Sequence, residues 1–188
     1  MSVREIHDVK NQIYYCTVTC YNWINLIQIT NLFDNIYSWF DILSQKRCKI
    51  LGYVLMPNHF HKLIYIPEDA NNLNSLFSNG KRFLSYEIIK RLTEQGNWEL
   101  LKTLEKGVSE KEKAKGQKHM VFRASFDARP CDNESLILQK LDYMHANPVS
   151  GKWNLVEVFT DYLHSSAKFY ELNEQGIYPV THYKEIIG

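Results

Sequence analysis

The chain reads as an α+β domain, and three observations predict it. Runs rich in β-branched and aromatic residues alternate with runs whose apolar residues recur every 3.6 positions. Their order is strand, helix, strand, strand, helix, strand, with a further helix behind. The length, 188 residues, suffices for one well-buried domain and is short for two. A single domain over residues 1–188 is therefore expected, with an irregular tail from about residue 150.

Residues 13–21, from Ile13 to Tyr21, form the first predicted strand. Asn22 to Asn25 make a polar connection that contains Trp23. From Asn31 to Gln45, Leu32, Phe33, Ile36, Trp39, Phe40 and Leu43 keep the helical period, and the cations Lys46, Arg47 and Lys49 suit that helix's negative end. Residues 50–56 and 59–66 are predicted as the second and third strands, with Pro57-Asn58 as a tight turn or bulge. After a loop from Pro67, Leu73 to Leu92 reads as the second helix. Glu105 to Lys118 is dense in Lys and Glu and reads as a solvated connection or helix extension. Met120 to Phe126 is predicted as the fourth strand, and Asp127 to Asp132 as a loop. Asn133 is a good N-cap and Pro148 sets a stop, so a third helix is predicted between them, with Ile137, Leu138, Leu141 and Met144 as its apolar stripe. Beyond Val149 the chain is irregular, but Trp153, Tyr162, Leu163, Phe169 and Tyr170 are expected to pack it back on the domain.

Composition restricts the function classes. With 45% hydrophobic and 23% charged residues the chain is an ordinary soluble one. A formal net charge of only +1 means that a nucleic-acid partner would need a local basic patch, not a global field. The four cysteines, Cys16, Cys20, Cys48 and Cys131, have no metal-finger or redox-motif spacing and read as reduced thiols. The polar start and the absence of a long apolar run predict a cytoplasmic protein without a membrane segment.

Two stretches carry chemistry. In Tyr53-Val54-Leu55-Met56-Pro57-Asn58-His59-Phe60-His61-Lys62 a Pro-Asn break is followed by two histidines with one aromatic between them. On a strand His59 and His61 share a face, roughly 6.5–7 Å apart, while Phe60 faces the opposite layer. Two imidazoles so placed can lean onto one ion. In the second stretch Tyr143 and Asn147 stand four apart on one helix face, with Lys140 one turn earlier, and Tyr143 lies off the apolar stripe.

Taken together, these stretches resemble a family. The sequence around His59-Phe60-His61 is similar to the HUH motif (His, hydrophobic, His) of single-tyrosine transposases. Gln139-Lys140-Leu141-Asp142-Tyr143-Met144-His145-Ala146-Asn147-Pro148-Val149 resembles the nucleophile helix of the REP-associated tyrosine transposase branch, and Ser165-Ser166-Ala167 matches a segment that follows it there. The likeness runs from about Ile13 to Tyr170. Three places depart from it: Lys62 stands at a usually apolar position, Ser150-Gly151 replaces a common basic residue, and His164 replaces an aromatic.

The resemblance implies an antiparallel sheet with helices packed on it, related to the ferredoxin-like arrangement. It makes His59, His61 and Asn147 ligands of a divalent metal, Mg2+ or Mn2+, and Tyr143 the nucleophile. It implies a transposase-type nuclease that cleaves and rejoins hairpin-containing single-stranded DNA through a 5′-phosphotyrosine. Lys81, Arg82, Lys90 and Arg91 are the candidate phosphate contacts on the second helix. Monomer and homodimer both remain open. Two other classes compete: a domesticated hairpin-DNA-binding module without strand transfer, and a metal-dependent hydrolase. The hydrolase would need a carboxylate or third histidine close behind His61, and the sequence has none there.

Overall fold

A computed structural model describes residues 9–124 and 126–188. The first eight residues, and Ser125 within the predicted fourth strand, lie outside the described residues. Strand β1 is Gln12–Thr19, followed by a single 3-10 turn, Tyr21–Trp23, a short helix α1, Leu26–Ile29, and helix α2, Phe33–Gln45. Strands β2, Lys49–Leu55, and β3, His59–Ile66, come next, and then helix α3, Leu73–Glu94. Helices α4, Trp98–Lys106, and α5, Glu110–Lys113, precede strand β4, Asp127–Pro130, and helix α6, Glu134–Ala146. The tail carries α7, Ala167–Leu172, and α8, Lys184–Ile187.

The four strands form one antiparallel sheet in the order β2-β3-β1-β4. Strands β1 and β2 therefore straddle β3, the split arrangement of ferredoxin-like domains. Because β3 is an inner strand, its alternating side chains feed two buried layers. Phe60 and Ile64 join Tyr14, Cys16 and Val18 against α2 and α3, in a core that includes Trp39, Phe40, Phe77, Leu84 and Ile88. Leu63 joins Ile13 and Tyr15 on the opposite face, against Ile137, Leu141 and Met144 of α6. An irregularity between Ile50 and Gly52 shifts the β2 register by one residue, so Leu51 and Val54 both serve the α6 layer.

The structure corrects two expectations. The fourth strand is Asp127–Pro130, not Met120 to Phe126. The earlier segment does run beside the end of β1, with a bridge from Phe122 to Cys20 and a hydrogen bond from Arg123 N to Thr19 O, but only Asp127–Pro130 continues the ladder. On α6, Leu138 is exposed, and His145 completes the buried stripe with Ile137, Leu141 and Met144. Positions 137, 141, 144 and 145 lie within one face at 100° per residue, whereas 138 falls off its edge. Asn133 caps α6 as expected, its Oδ1 accepting from Leu136 N at 2.9 Å.

The tail packs back, although Leu163 stays exposed. Ser165 bridges to Val54, Ser166 N donates to Tyr53 O at 2.9 Å, and Ser166 Oγ lies 2.9 Å from buried His145 Nε2. His164 takes the place of an aromatic by behaving as one: its ring stacks on Phe33 at 3.7 Å and its Nδ1 meets the Tyr37 hydroxyl.

Lys62 is the main departure from an apolar core. It is fully buried, and its Nζ lies 3.4 Å from the centre of Trp39 and 4.2 Å from that of Phe77, with no hydrogen-bond partner among the described residues. Burial pulls its pKa down to about 7, against an opposing pull from the Cys16 and Cys48 thiols. The aromatic faces favour the ammonium and offset part of the burial cost. Between pH 7 and the ordinary lysine value of 10.5, the unfolded chain binds a proton that the folded one lacks, so this group makes stability rise with pH across that window. Lys62→Met is expected to raise unfolding free energy at pH 6 by about 1–3 kcal/mol, as when a buried charge gives way to a packed apolar chain. It should also remove this rise, which urea titrations at pH 6 and pH 9 would measure. A variant less stable than the parent at pH 6 would show that the cage holds the charged form by more than burial disfavours it.

Candidate active site

The two histidines stand at the start of β3 on the α6 side, paired with β1 as His59↔Thr19 and His61↔Thr17. Both are 5% exposed, and their ring centres lie 4.8 Å apart, closer than the strand spacing alone would give because the rings lean together. Burial depresses their pKa values, to about 4 for His59 and about 3 for His61. For His61 the neighbouring His59 and then Lys140 lower it further, while for His59 a hydrogen bond with Asn147 opposes burial and Lys152 adds to it. Both imidazoles are thus neutral at pH 7, the form that ligates metals.

Their orientation is held from behind. Asn58 Nδ2 donates to the Trp23 carbonyl at 2.8 Å, which turns its Oδ1 toward His59 Nδ1 at 2.7 Å. His59 therefore donates from Nδ1 and keeps its lone pair on Nε2. His61 Nδ1 shares a hydrogen bond with Thr17 Oγ1 at 2.9 Å, and its buried Nε2 has no partner among the described residues. A buried ring nitrogen left without a partner is costly, and a cation at that nitrogen would satisfy it. The Pro57-Asn58 break is a closed turn: Met56 N bonds His59 O, Cys20 N bonds Asn58 O, and Gln28 N bonds Pro57 O.

Tyr143 reaches this pair from α6. Its ring lies 5.6 Å from His61 and 6.4 Å from Tyr15, edge-on to both, and it is 59% exposed. Tyr15 stacks on His61 at 5.3 Å, so one aromatic supports the His61 ring and Tyr143 together. Asn147 caps α6, and its Nδ2 donates to the Tyr143 carbonyl at 2.9 Å, which leaves Oδ1 as the atom for a ligand. The fit to a divalent ion rests on three groups: two neutral imidazoles, one of them with an unpartnered nitrogen among the described residues, and the Asn147 amide oxygen beside His59. No group of three His, Cys, Asp or Glu side chains placed to hold a metal ion exists among the described residues. Further ligands would come from solvent or substrate.

The four candidate phosphate contacts separate in the structure. Arg91 is taken up internally, bridging Asp34 on α2 at 3.0 Å and Glu87 at 2.8 Å and donating to the Thr30 and Asn31 carbonyls. Lys90 lies 3.9 Å from Glu87, Arg82 packs over Phe83, and Lys81 donates to the carbonyls of Arg123 and Ala124. Lys81, Arg82 and Lys90 line a broad cleft of about 1370 Å³. Helix α3 lies on the sheet face opposite α6, so none of them meets Tyr143. Tyr15, Thr17, Asn58 and Trp23 also belong to the site, in roles that the sequence alone does not assign. Tyr15, Thr17 and Thr19 alternate along a strand, a signal that gains meaning only once β1 is known to pair with β3. Trp23 sits in left-handed backbone (φ 57°) that an aromatic rarely adopts, held there by Asn58 beside His59, and no local pattern foretells it.

No protein-family model matches the chain, and no curated protein sequence does. Among solved structures, the chain is similar to a REP-associated tyrosine transposase bound to a REP hairpin, with a TM-score of 0.58 and 19% identity, over 90% of this chain and 84% of that one. The α+β fold expected from the motifs is the fold found: the antiparallel sheet and its helices are shared with that transposase.

The seating of α6 on the sheet depends on Gly52. A Cβ there would stand 2.7 Å from Leu141 Cδ2 and 3.6 Å from Met144 Sδ. Gly52→Ala is expected to cost about 1–3 kcal/mol by overpacking, measured by chemical denaturation. Unchanged stability would mean that Leu141 swings aside and that α6 is not fixed by this contact.

Proposed function

We propose that the protein is a transposase-type nuclease that cleaves and rejoins hairpin-containing single-stranded DNA through a 5′-phosphotyrosine at Tyr143. The observation that carries this reading is one cluster: an exposed tyrosine ring 5.6 Å from a buried, neutral histidine whose Nε2 has no partner among the described residues. The likeness in fold to a hairpin-bound tyrosine transposase supports it, as do the motifs around His59 and Tyr143.

The chemistry follows from the residues. Tyr143 Oη attacks the scissile phosphorus, the P–O3′ bond breaks, and the phenolic proton ends on the released 3′-oxygen. One phosphoester replaces another, so the bond energy is kept and the reverse attack by a 3′-hydroxyl restores a continuous strand. Exposure of Tyr143 lets a flexible strand reach it, while the Tyr15 and His61 rings limit how it can turn. His59 and His61, with the Asn147 amide, would hold a divalent ion, Mg2+ or Mn2+, which when bound supplies positive charge against the phosphate oxygens. Thr17 and Asn58 keep the two imidazoles aimed.

Two measurements test this. Tyr143→Phe removes one oxygen from an exposed ring, so it should fold and bind a hairpin substrate normally and form no covalent adduct. Peptide mapping of the trapped complex locates the bond, and an adduct on another tyrosine or wild-type cleavage by the Phe variant would refute the assignment. Asn58→Ala should weaken Mn2+ binding by about 10–100-fold, the usual effect of losing a partner behind a ligand, read by titration calorimetry without DNA. Undiminished affinity would mean that the ion is not held by His59.

A further inference from the structure

The broad cleft on the α3 side is unexplained by the chemistry at Tyr143. It lies between α3 and the segment that leads into β4, and six Lys and Arg side chains line it against two carboxylates, Glu112 and Asp127. For a chain with a net charge of only +1, that is a strong local excess of positive charge. Arg82, Lys90, Lys115, Lys118 and Arg123 are exposed there. Tyr86, 65% exposed, stands in the same wall, and Phe83 beside it is 59% exposed. Exposed aromatic faces among cations are the features that bind single-stranded nucleic acid, by stacking bases while the cations follow the phosphates.

The cleft also joins the candidate active site across the sheet edge, by two short routes. Asp127, in its lining, pairs directly with Thr17, whose hydroxyl touches His61. Two strand spacings, roughly 10 Å, separate those backbones. Arg123, also in the lining, lies 5.2 Å from the ring of Trp23, which lies 5.6 Å edge-on from His59. Trp23 is 47% exposed, an indole presented between the histidines and the first cation of the cleft. Lys81 holds the walls together through its bonds to the Arg123 and Ala124 carbonyls. Strand β4 is short and sits at the sheet edge, so a chain of nucleotides can pass over it from one face to the other.

We propose that this cleft holds a single-stranded flank of the DNA, which leaves the active site past Trp23 and Arg123 and crosses the β4 edge to lie along α3. The inference deepens the DNA-cleaving reading and rests on it. It assigns the flank to the face opposite Tyr143, with Tyr86 as a stacking platform.

The test compares two fluorescent probes by anisotropy: a bare DNA hairpin, and the same hairpin with a single-stranded flank of about ten nucleotides, within the usual footprint of such grooves. Wild-type protein should bind the flanked probe at least tenfold more tightly. In the variant Arg82→Gln/Lys90→Gln/Lys115→Gln/Lys118→Gln most of that gain should vanish, and the log K versus log salt slope for the flanked probe should flatten by about 0.7 per lost contact. Tyr86→Ala should lose part of the gain and Tyr86→Phe should keep it. An equal loss on both probes would place the hairpin stem in the cleft and overturn the inference, as would the absence of any gain from the flank. Wild-type protein that binds neither probe would sink the DNA reading itself, and this inference with it.

Discussion

Burial of β3 on both faces is the constraint on which the rest of this structure depends. An inner strand has no solvent side, so each of its residues must satisfy one of two closed layers. Phe60, Lys62 and Ile64 go to the α2 and α3 core, while His59, His61 and Leu63 go toward α6. The same alternation that fills the core therefore sets two imidazoles side by side in a dry place. Water could not be relied on to satisfy them there, so Asn58 and Thr17 hold one nitrogen of each ring. The other nitrogens are left facing Tyr143 and Asn147.

The polar groups in these layers are costly, and the two layers deal with them differently. On the α3 side Lys62 has no hydrogen-bond partner among the described residues and rests on aromatic faces. Toward α6 the polar groups gather, and the His61 ring, whose Nε2 has no partner among the described residues, lies 5.6 Å from the exposed Tyr143 ring. The contrast matters for function: the first arrangement is closed to solvent and ligand, whereas the second opens at Tyr143. Helix α6 links the two requirements, since Leu141 and Met144 seat it against Gly52 while Tyr143, between them in sequence, points away.

The α3 side adds a second surface. Arg91 ties α3 to α2 through Asp34 and Asn35, so one of the helix's cations serves the fold. Arg82, Lys90 and Tyr86 face the cleft instead. The sheet edge at β4 is where this surface and the histidine pair come nearest, because each histidine row ends there, at Thr17–Asp127 and at Thr19–Arg123.

The sequence by itself indicated strands over 13–21, 50–56 and 59–66, which the fold sets at Gln12–Thr19, Lys49–Leu55 and His59–Ile66, together with the helices α2, α3 and α6 and the pairing of His59 with His61 and of Tyr143 with Asn147. All of these are local periodicities, two residues on a strand and four on a helix, and they are legible without a fold. It misplaced β4, because Val121 and Phe122 have strand-like side chains while Asp127–Pro130 does not; the free edge of β1, not propensity, selected the shorter segment. It could not sort Arg91 from Lys90, since adjacent helical residues face 100° apart and only the position of α2 says which meets Asp34. Nor could it place Tyr15 on His61 or Trp23 beside His59. Those contacts join positions 46 and 36 apart in the chain, and only the register of β1 on β3 and the turn held by Asn58 bring them together.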